Sequence, residues 1–277
     1  MRVVACMKWV DTRPEIDPIS GAITDDERWF AASPADQSAL ETALRLADER
    51  DGEVVAVCAG PVGAESMLRD ALAAGASTAV RVDLDPSGDA ATVAEAVAPV
   101  VAGADLVVCG NWSLDRGTGS FPAFLAHRLG AAQALGCTSI AAVDAGLSAE
   151  RRLDGGRREV LRLTGPAVVS VEAGAELRRA PLRAVLAAGE AAIGSVVPAP
   201  PRPAFSRLER TGPYRPRSRE LDPPAGDDVR ERLLSLTGAL AETSPSRALA
   251  LDPSAAADHL LAALGERGVG PEADESE

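Results

Sequence analysis

Ser33-Pro34-Ala35-Asp36-Gln37-Ser38-Ala39-Leu40-Glu41-Thr42-Ala43-Leu44-Arg45-Leu46-Ala47 reads as one amphipathic helix with a marked start. Ser33 can cap the first turn, Pro34 suits the first helical position and Asp36 lies where the helix dipole favours negative charge. Leu40, Ala43, Leu44 and Ala47 then share one face at 3.6-residue spacing, as in a helix laid on a sheet. On either side stand apolar runs of strand length, Arg2 to Met7 and Glu53 to Cys58. Strand, helix, strand in that order predicts parallel pairing through a right-handed crossover.

The same alternation continues outward. Thr78 to Asp83, Asp105 to Cys109 and Thr138 to Val143 are further strand-length runs, and the pattern predicts helices over 62–74, 89–102 and 119–129. Ala64, Leu68, Ala71 and Leu72 form the inner face of the first of these, which Gly75 stops. The whole implies an α/β fold with a doubly wound, mostly parallel sheet, whose ligands sit beyond the carboxyl ends of the strands. From Gly146 a turn at Asp154-Gly155-Gly156 between strand-like flanks reads as a small antiparallel hairpin, and Val168 to Val171 as a last buried strand.

Composition limits the function. The chain has 277 residues, 46 % hydrophobic and 25 % charged, with a formal charge of −13, so its own field opposes a nucleic-acid backbone. Its cysteines, Cys6, Cys58, Cys109 and Cys137, form no C-x-x-C pair, and His127 and His259 are its two histidines. Neither a metal centre nor a Ser/His/Asp triad is signalled, and no catalytic residue is assigned. No apolar run reaches spanning length and no signal peptide is evident, so the expectation is a reduced, cytoplasmic, soluble protein. Cys6, Cys58 and Cys109 fall at strand ends, where cysteine reads most simply as a small apolar residue.

Beyond Ile193 prolines accumulate. The expected organisation is an α/β domain over 1–195, a proline-rich linker over 196–226 and a C-terminal arm over 227–277, with short helices at about 227–241 and 253–266 that dock on the same sheet or on a partner subunit. Leu260, Leu261 and Leu264 form the apolar stripe of the second.

Gly110-Asn111-Trp112-Ser113-Leu114-Asp115-Arg116-Gly117-Thr118-Gly119-Ser120 follows a strand and opens a helix. Free N–H groups and the dipole favour a phosphate there, and the glycines let it approach the backbone. A simple helix cap is the alternative on the motif alone. Lys8, the only lysine of the chain, reads either as a surface cation or as a buried one near a subunit junction.

These segments, in order over residues 1 to 190, resemble the beta subunit of electron transfer flavoprotein. Val3 to Thr12 is similar to that family's first strand and V-K-x-V-x-D-T loop. Ile16-Asp17-Pro18 and Gly21 resemble its next turn, Ser33 to Asp36 its N-P-x-D/E, and Ala39 to Leu46 its A-x-E-x-A-L-R-L helix. Gly60-Pro61, Asp105 to Gly110, Leu153 to Gly156, Leu161 to Leu163 and Pro166 to Val169 continue the match. Thr211 to Pro216 resembles a mycofactocin-associated branch.

The resemblance implies the adenine-nucleotide-binding fold and a non-enzymatic electron carrier. Its partner would be an alpha subunit holding the redox FAD, its own nucleotide AMP or a second FAD, and its donor a flavin-linked or mycofactocin-linked dehydrogenase. It implies cofactor contacts at Cys6, Ser33, Asp36, Ala59, Gly110, Asp115, Thr118, Gly119 and Ser120, in a loop one to three residues shorter than the family's. Asp11 and Thr12 match a loop near the flavin edge, or simply cap their own. Glu176 to Ala188 resembles the segment that recognises dehydrogenases, implying partner contacts at Arg178 and Leu182, although the usual lysine run is absent. Val185 and Leu186 are expected to pack on their own subunit. The competing function is a nucleotide-binding sensor or a nucleotide-dependent enzyme of the same fold.

Overall fold

The computed structural model describes residues 1–85, 88–144, 146–200, 223, 228–237 and 251–266. The chain divides into two compact units, Met1–Arg215 and Pro216–Glu277.

In the first unit, β1 (Arg2–Met7) is followed by four short strands, β2 (Trp9–Asp11), β3 (Glu15–Ile16), β4 (Ile23–Thr24) and β5 (Phe30–Ala32). They pair antiparallel, β2 with β5 and β3 with β4. Then alternate α1 (Pro34–Glu49), β6 (Glu53–Ala59), α2 (Glu65–Ala74), β7 (Thr78–Val82), α3 (Ala90–Val101), β8 (Leu106–Gly110) and α4 (Phe121–Leu129). A meander of β9 (Ala132–Val143), β10 (Gly146–Arg152) and β11 (Arg158–Leu163) leads to β12 (Ala167–Val171), α5 (Leu182–Glu190) and β13 (Gly194–Val196). The second unit holds α6 (Val229–Thr237) and α7 (Pro253–Glu266), within the spans expected for both. Thr211 to Pro216, and most of the prolines beyond Pro200, lie outside the described residues.

One nine-stranded sheet runs in the order β11-β10-β9-β12-β8-β1-β6-β7-β13. It is parallel from β9 through β12 to β13, and antiparallel where β10 and β11 extend it. Because β1 is central, its alternate residues enter two cores. Val3, Ala5 and Met7 pack with Leu40 and Leu44 of α1 and Leu68 of α2. Val4 and Cys6 pack with Ala94 and Val97 of α3 and Leu125 of α4.

Local chemistry sets the boundaries. Ser33 Oγ accepts from the Asp36 N–H at 3.2 Å and begins α1, a cap worth about 1 kcal/mol. The helix expected from Gly119 starts at Phe121, because Gly119 takes a left-handed φ of 60° that cannot continue an α-helix. The strand expected over 138–143 begins at Ala132. Ala132 to Ala134 lack β-branched residues and join the sheet only because Ala167 to Val169 lie alongside. Strands β2 to β5 and β13, three residues long at most, were not expected; their pairing is tertiary.

Candidate functional site

The winding of the chain opens a crevice at the carboxyl end of β1. From β1 the chain moves outward through β6 and β7, then crosses back to β8 on the other side of β1. The element that follows β1 packs on one face of the sheet, through α1, and the one that follows β8 on the other, through α4. Between them lies the topological switch point, the place where open α/β sheets bind ligands. A cavity of about 370 Å³ occupies it, within the range of small-molecule sites. Its floor is Cys6 and Met7 of β1, Val57 and Ala59 of β6, and Cys109 and Gly110 of β8. Its walls are the start of α3, the loop after β8 and the first turn of α4.

One end suits an anion. Ser120 precedes α4 without capping it through its side chain; Pro122 carries no N–H and the Phe124 N–H donates to the Ser120 carbonyl at 3.2 Å, so Phe121 and Ala123 are the first-turn donors left for an anion. Thr118 Oγ1 and Ser120 Oγ lie 3.1 Å apart there. Gly117 and Gly119 both hold left-handed φ, and a Cβ on Gly119 would meet the Asn111 carbonyl at 2.6 Å, so the loop is shaped around that glycine. Arg116 Nη1 donates to the Gly88 carbonyl at 2.7 Å, tying the loop to the approach of α3. Asp89, which caps α3 by accepting from the Thr92 N–H at 2.7 Å, adds a carboxylate to the opposite wall. Val93, Val97 and Phe121 adjoin Val57 of the floor as apolar lining, with Trp112 and Phe124 also lining the cavity.

At the floor, Asp36 is buried and accepts from Ser33 Oγ at 3.0 Å and the Lys8 N–H at 3.3 Å. Burial pushes its carboxyl up to about 6, against the hydrogen bonds from Ser33, Lys8 and Gly110. A Cβ on Gly110 would stand 2.7 Å from Asp36 Oδ1, so glycine is required for α1 to approach β8. Beside it Cys6 and Cys109 are register partners on β1 and β8. The neighbouring Cys6 thiol and burial hold Cys109 well above the ordinary thiol range.

Among the residues expected to hold a cofactor, Cys6, Asp36, Ala59, Gly110, Thr118, Gly119 and Ser120 line this cavity. Ser33 stands behind it, capping α1 and holding Asp36. Asp115 is at the rim, 2.5 Å from Lys8, which does line the cavity. Lys8 is neither fully buried nor simply solvated, with 28 % of its side chain exposed. Asp11 is buried and fastens its own excursion, accepting from the N–H groups of Arg13 and Asp26 at 2.7 and 2.8 Å, while Thr12 Oγ1 donates to the Trp29 carbonyl. Sequence reasoning missed Trp112, Phe121, Phe124 and the start of α3. A signal existed for the aromatics: in a chain only 3 % aromatic, three fall within 112–124.

Away from the cavity, the Arg178 guanidinium binds Glu41 at 2.9 Å and Asp48 at 2.8 Å, both on α1. These two carboxylates raise its pKa further. The clamp leads directly into α5, whose first residue, Leu182, is 74 % exposed. The expectation for Val185 and Leu186 is corrected, since both are exposed. This alanine-rich helix is anchored through the small Ala188, its one buried residue, leaving the larger side chains in solvent. Among the described residues no cluster of metal-ligating side chains occurs and no helix is long and apolar enough to cross a membrane.

The electron transfer flavoprotein domain matches residues 22–200. The chain is 33 % identical to Protein FixA of Azorhizobium caulinodans over 208 residues, covering 70 % of this chain and 74 % of that one. It is 29 % identical to electron transfer flavoprotein subunit beta of Syntrophomonas wolfei over 174 residues, 61 % of this chain and 69 % of that one. With the caffeyl-CoA reductase-Etf complex subunit CarD of Acetobacterium woodii it shares 36 % over 138 residues, 47 % and 52 % of the two chains. The chain therefore belongs to the electron transfer flavoprotein family, as a beta-type subunit of an electron carrier rather than an enzyme.

Proposed function

We propose that the crevice between β1 and β8 holds the adenylate group of AMP or of a second FAD, and that the chain pairs with an alpha subunit whose FAD carries the electrons. The observation that carries this reading is the composition of the cavity. Apolar side chains of Val57, Val93, Val97 and Phe121 run to the N-terminal turn of α4 with the Thr118 and Ser120 hydroxyls, which is how a base at one end and a phosphate at the other would be received. The bound nucleotide supplies either a structural tie or, as FAD, a second redox centre. The protein's own residues bind and orient it. The α4 N-terminus and the Thr118 and Ser120 hydroxyls would hold its phosphate, the glycines admit it to the backbone, and the apolar side chains exclude water from the ring.

On this reading Leu182 at the start of α5 is the contact for a flavin-linked or mycofactocin-linked dehydrogenase, with Arg178 positioning that segment through α1. The pair works in the cytoplasm. The C-terminal region from 196 onward, a linker to 226 and an arm beyond it, embraces the alpha subunit. The test is to co-express both subunits, release the nucleotides with acid and identify them by chromatography. One FAD and one AMP per heterodimer, or two FAD, supports the proposal and chooses between its forms. A single FAD with no second nucleotide overturns it.

A further inference from the structure

Cys6 and Cys109 are register partners on the neighbouring parallel strands β1 and β8, and both side chains point to the face covered by α3 and α4. Adjacent strands lie about 4.7–4.9 Å apart, inside the window of about 4.4–6.8 Å that a disulfide needs between Cα atoms. Both cysteines line the cavity, Cys6 being 6 % and Cys109 2 % exposed. The other two cysteines are placed differently. Cys58 and Cys137 belong to the core on the opposite face, so the sheet separates them from this pair.

We infer that Cys6 and Cys109 form a dithiol on the cavity floor that a small oxidant reaching the open cavity converts to a disulfide, closing the crevice to its ligand. With diamide, an azo oxidant, the Cys6 sulfur adds across the N=N bond and the Cys109 sulfur then displaces it, forming the S–S bond. The two thiols give up two electrons and two protons, and the azo group leaves as the hydrazine. Closure draws the two Cβ atoms from the strand spacing of about 4.7–4.9 Å to about 3.8 Å at the floor of the crevice. Only the effect on the ligand rests on the nucleotide reading above; the cross-link does not.

The test uses the full chain with its alpha subunit, reduced, desalted and exposed to diamide, then acid-quenched and unfolded in the presence of a maleimide. Trypsin leaves the four cysteines in separate peptides, residues 3–8, 51–69, 82–116 and 129–151. The expected result is a cross-link between 3–8 and 82–116, full maleimide labelling of the other two, and at least a tenfold loss of the nucleotide retained by this subunit. Adding the released nucleotide before diamide should slow the cross-link. Cys109→Ala removes both effects. Should that variant not fold, the Cys58→Ala, Cys137→Ala double variant must still form the cross-link. Absence of the 3–8 to 82–116 cross-link overturns the inference, and so does a cross-link that leaves retention unchanged. A reduced complex holding no nucleotide beyond that of the alpha subunit sinks the proposed function instead, while the cross-link still decides whether the dithiol exists.

Discussion

The Lys8 ammonium meets the Asp115 carboxylate at 2.5 Å, joining the residue that follows β1 to the loop after β8 across 107 positions of sequence. Burial tends to raise the Asp115 pKa, but the hydrogen bonds from Lys8 and Ser113 and the Lys8 charge leave it below the ordinary value. The chain's only lysine thereby closes one side of the cavity rim.

Lys8→Met should loosen that loop more than it destabilises the fold. Both side chains are partly exposed, so after solvent screening the bridge contributes about 1 kcal/mol or less. A folded pKa below the unfolded one gives stability that is present above about pH 4 and lost as pH falls through the folded value. The expected outcome is faster tryptic cleavage after Arg116 with a nearly unchanged melting temperature. An unchanged cleavage rate would show that other contacts hold the loop.

Asp36 acts with the opposite sign. Its folded pKa of about 6 exceeds the ordinary value of 3.8, so its contribution to stability is largest below about pH 4 and declines as pH rises through 6. The difference amounts to about 3 kcal/mol. Asp36→Asn loses an acceptor and costs about 1–3 kcal/mol where the wild type is protonated, but the stability difference should shift in its favour between pH 4 and 7. Urea unfolding at a series of pH values measures this; parallel curves would mean that the carboxyl titrates normally.

Gly119→Val should reduce nucleotide retention by distorting the loop. A Cβ there lies 2.6 Å from the Asn111 carbonyl at a φ of +60°, a strain of about 1–3 kcal/mol. Dialysis followed by nucleotide quantification, with far-ultraviolet dichroism to show that the sheet persists, checks it. Full stoichiometry would remove the loop from the site.

Leu182→Ala should leave unfolding free energy within about 0.5 kcal/mol, since the side chain is exposed, and should slow reduction by the dehydrogenase. Arg178→Ala should slow reduction as well and also destabilise the fold by about 1 kcal/mol, by releasing the Glu41 and Asp48 clamp. Equal rates for Leu182→Ala and wild type would move the partner surface elsewhere.

Deleting residues 198–277 should leave the α/β unit stable and abolish assembly with the alpha subunit. The cut falls after β13, which pairs with β7 and ends at Val196, so the sheet keeps all its strands. Size-exclusion chromatography of the truncated chain with the alpha subunit decides; co-elution at full affinity places the interface on the α/β unit.

The sequence by itself determined the elements with strong local signals. α1 is written in Ser33, Pro34, Asp36 and the leucine stripe, the strands β1, β6, β7 and β8 in short runs of valine and alanine, and the hairpin in Asp154-Gly155-Gly156. Period, caps and turn residues act within a few positions, so one sequence carries them whole. The cavity-lining residues of the glycine loop and of the strand ends follow from the same logic, because parallel winding sends every strand's carboxyl end to one side of the sheet.

Only the tertiary structure decided which of those ends meet. The pairing of β1 with β8 rather than with β7 brings Cys6 to Cys109, Lys8 to Asp115 and Gly110 against Asp36, none of which is encoded by spacing along the chain. It also brought in the start of α3 and the aromatics of 112–124 as cavity walls, left Val185 and Leu186 in solvent, and extended β9 six residues upstream through its partner β12. In each case the energy comes from burial and hydrogen bonding between segments far apart in sequence, which local propensity does not contain.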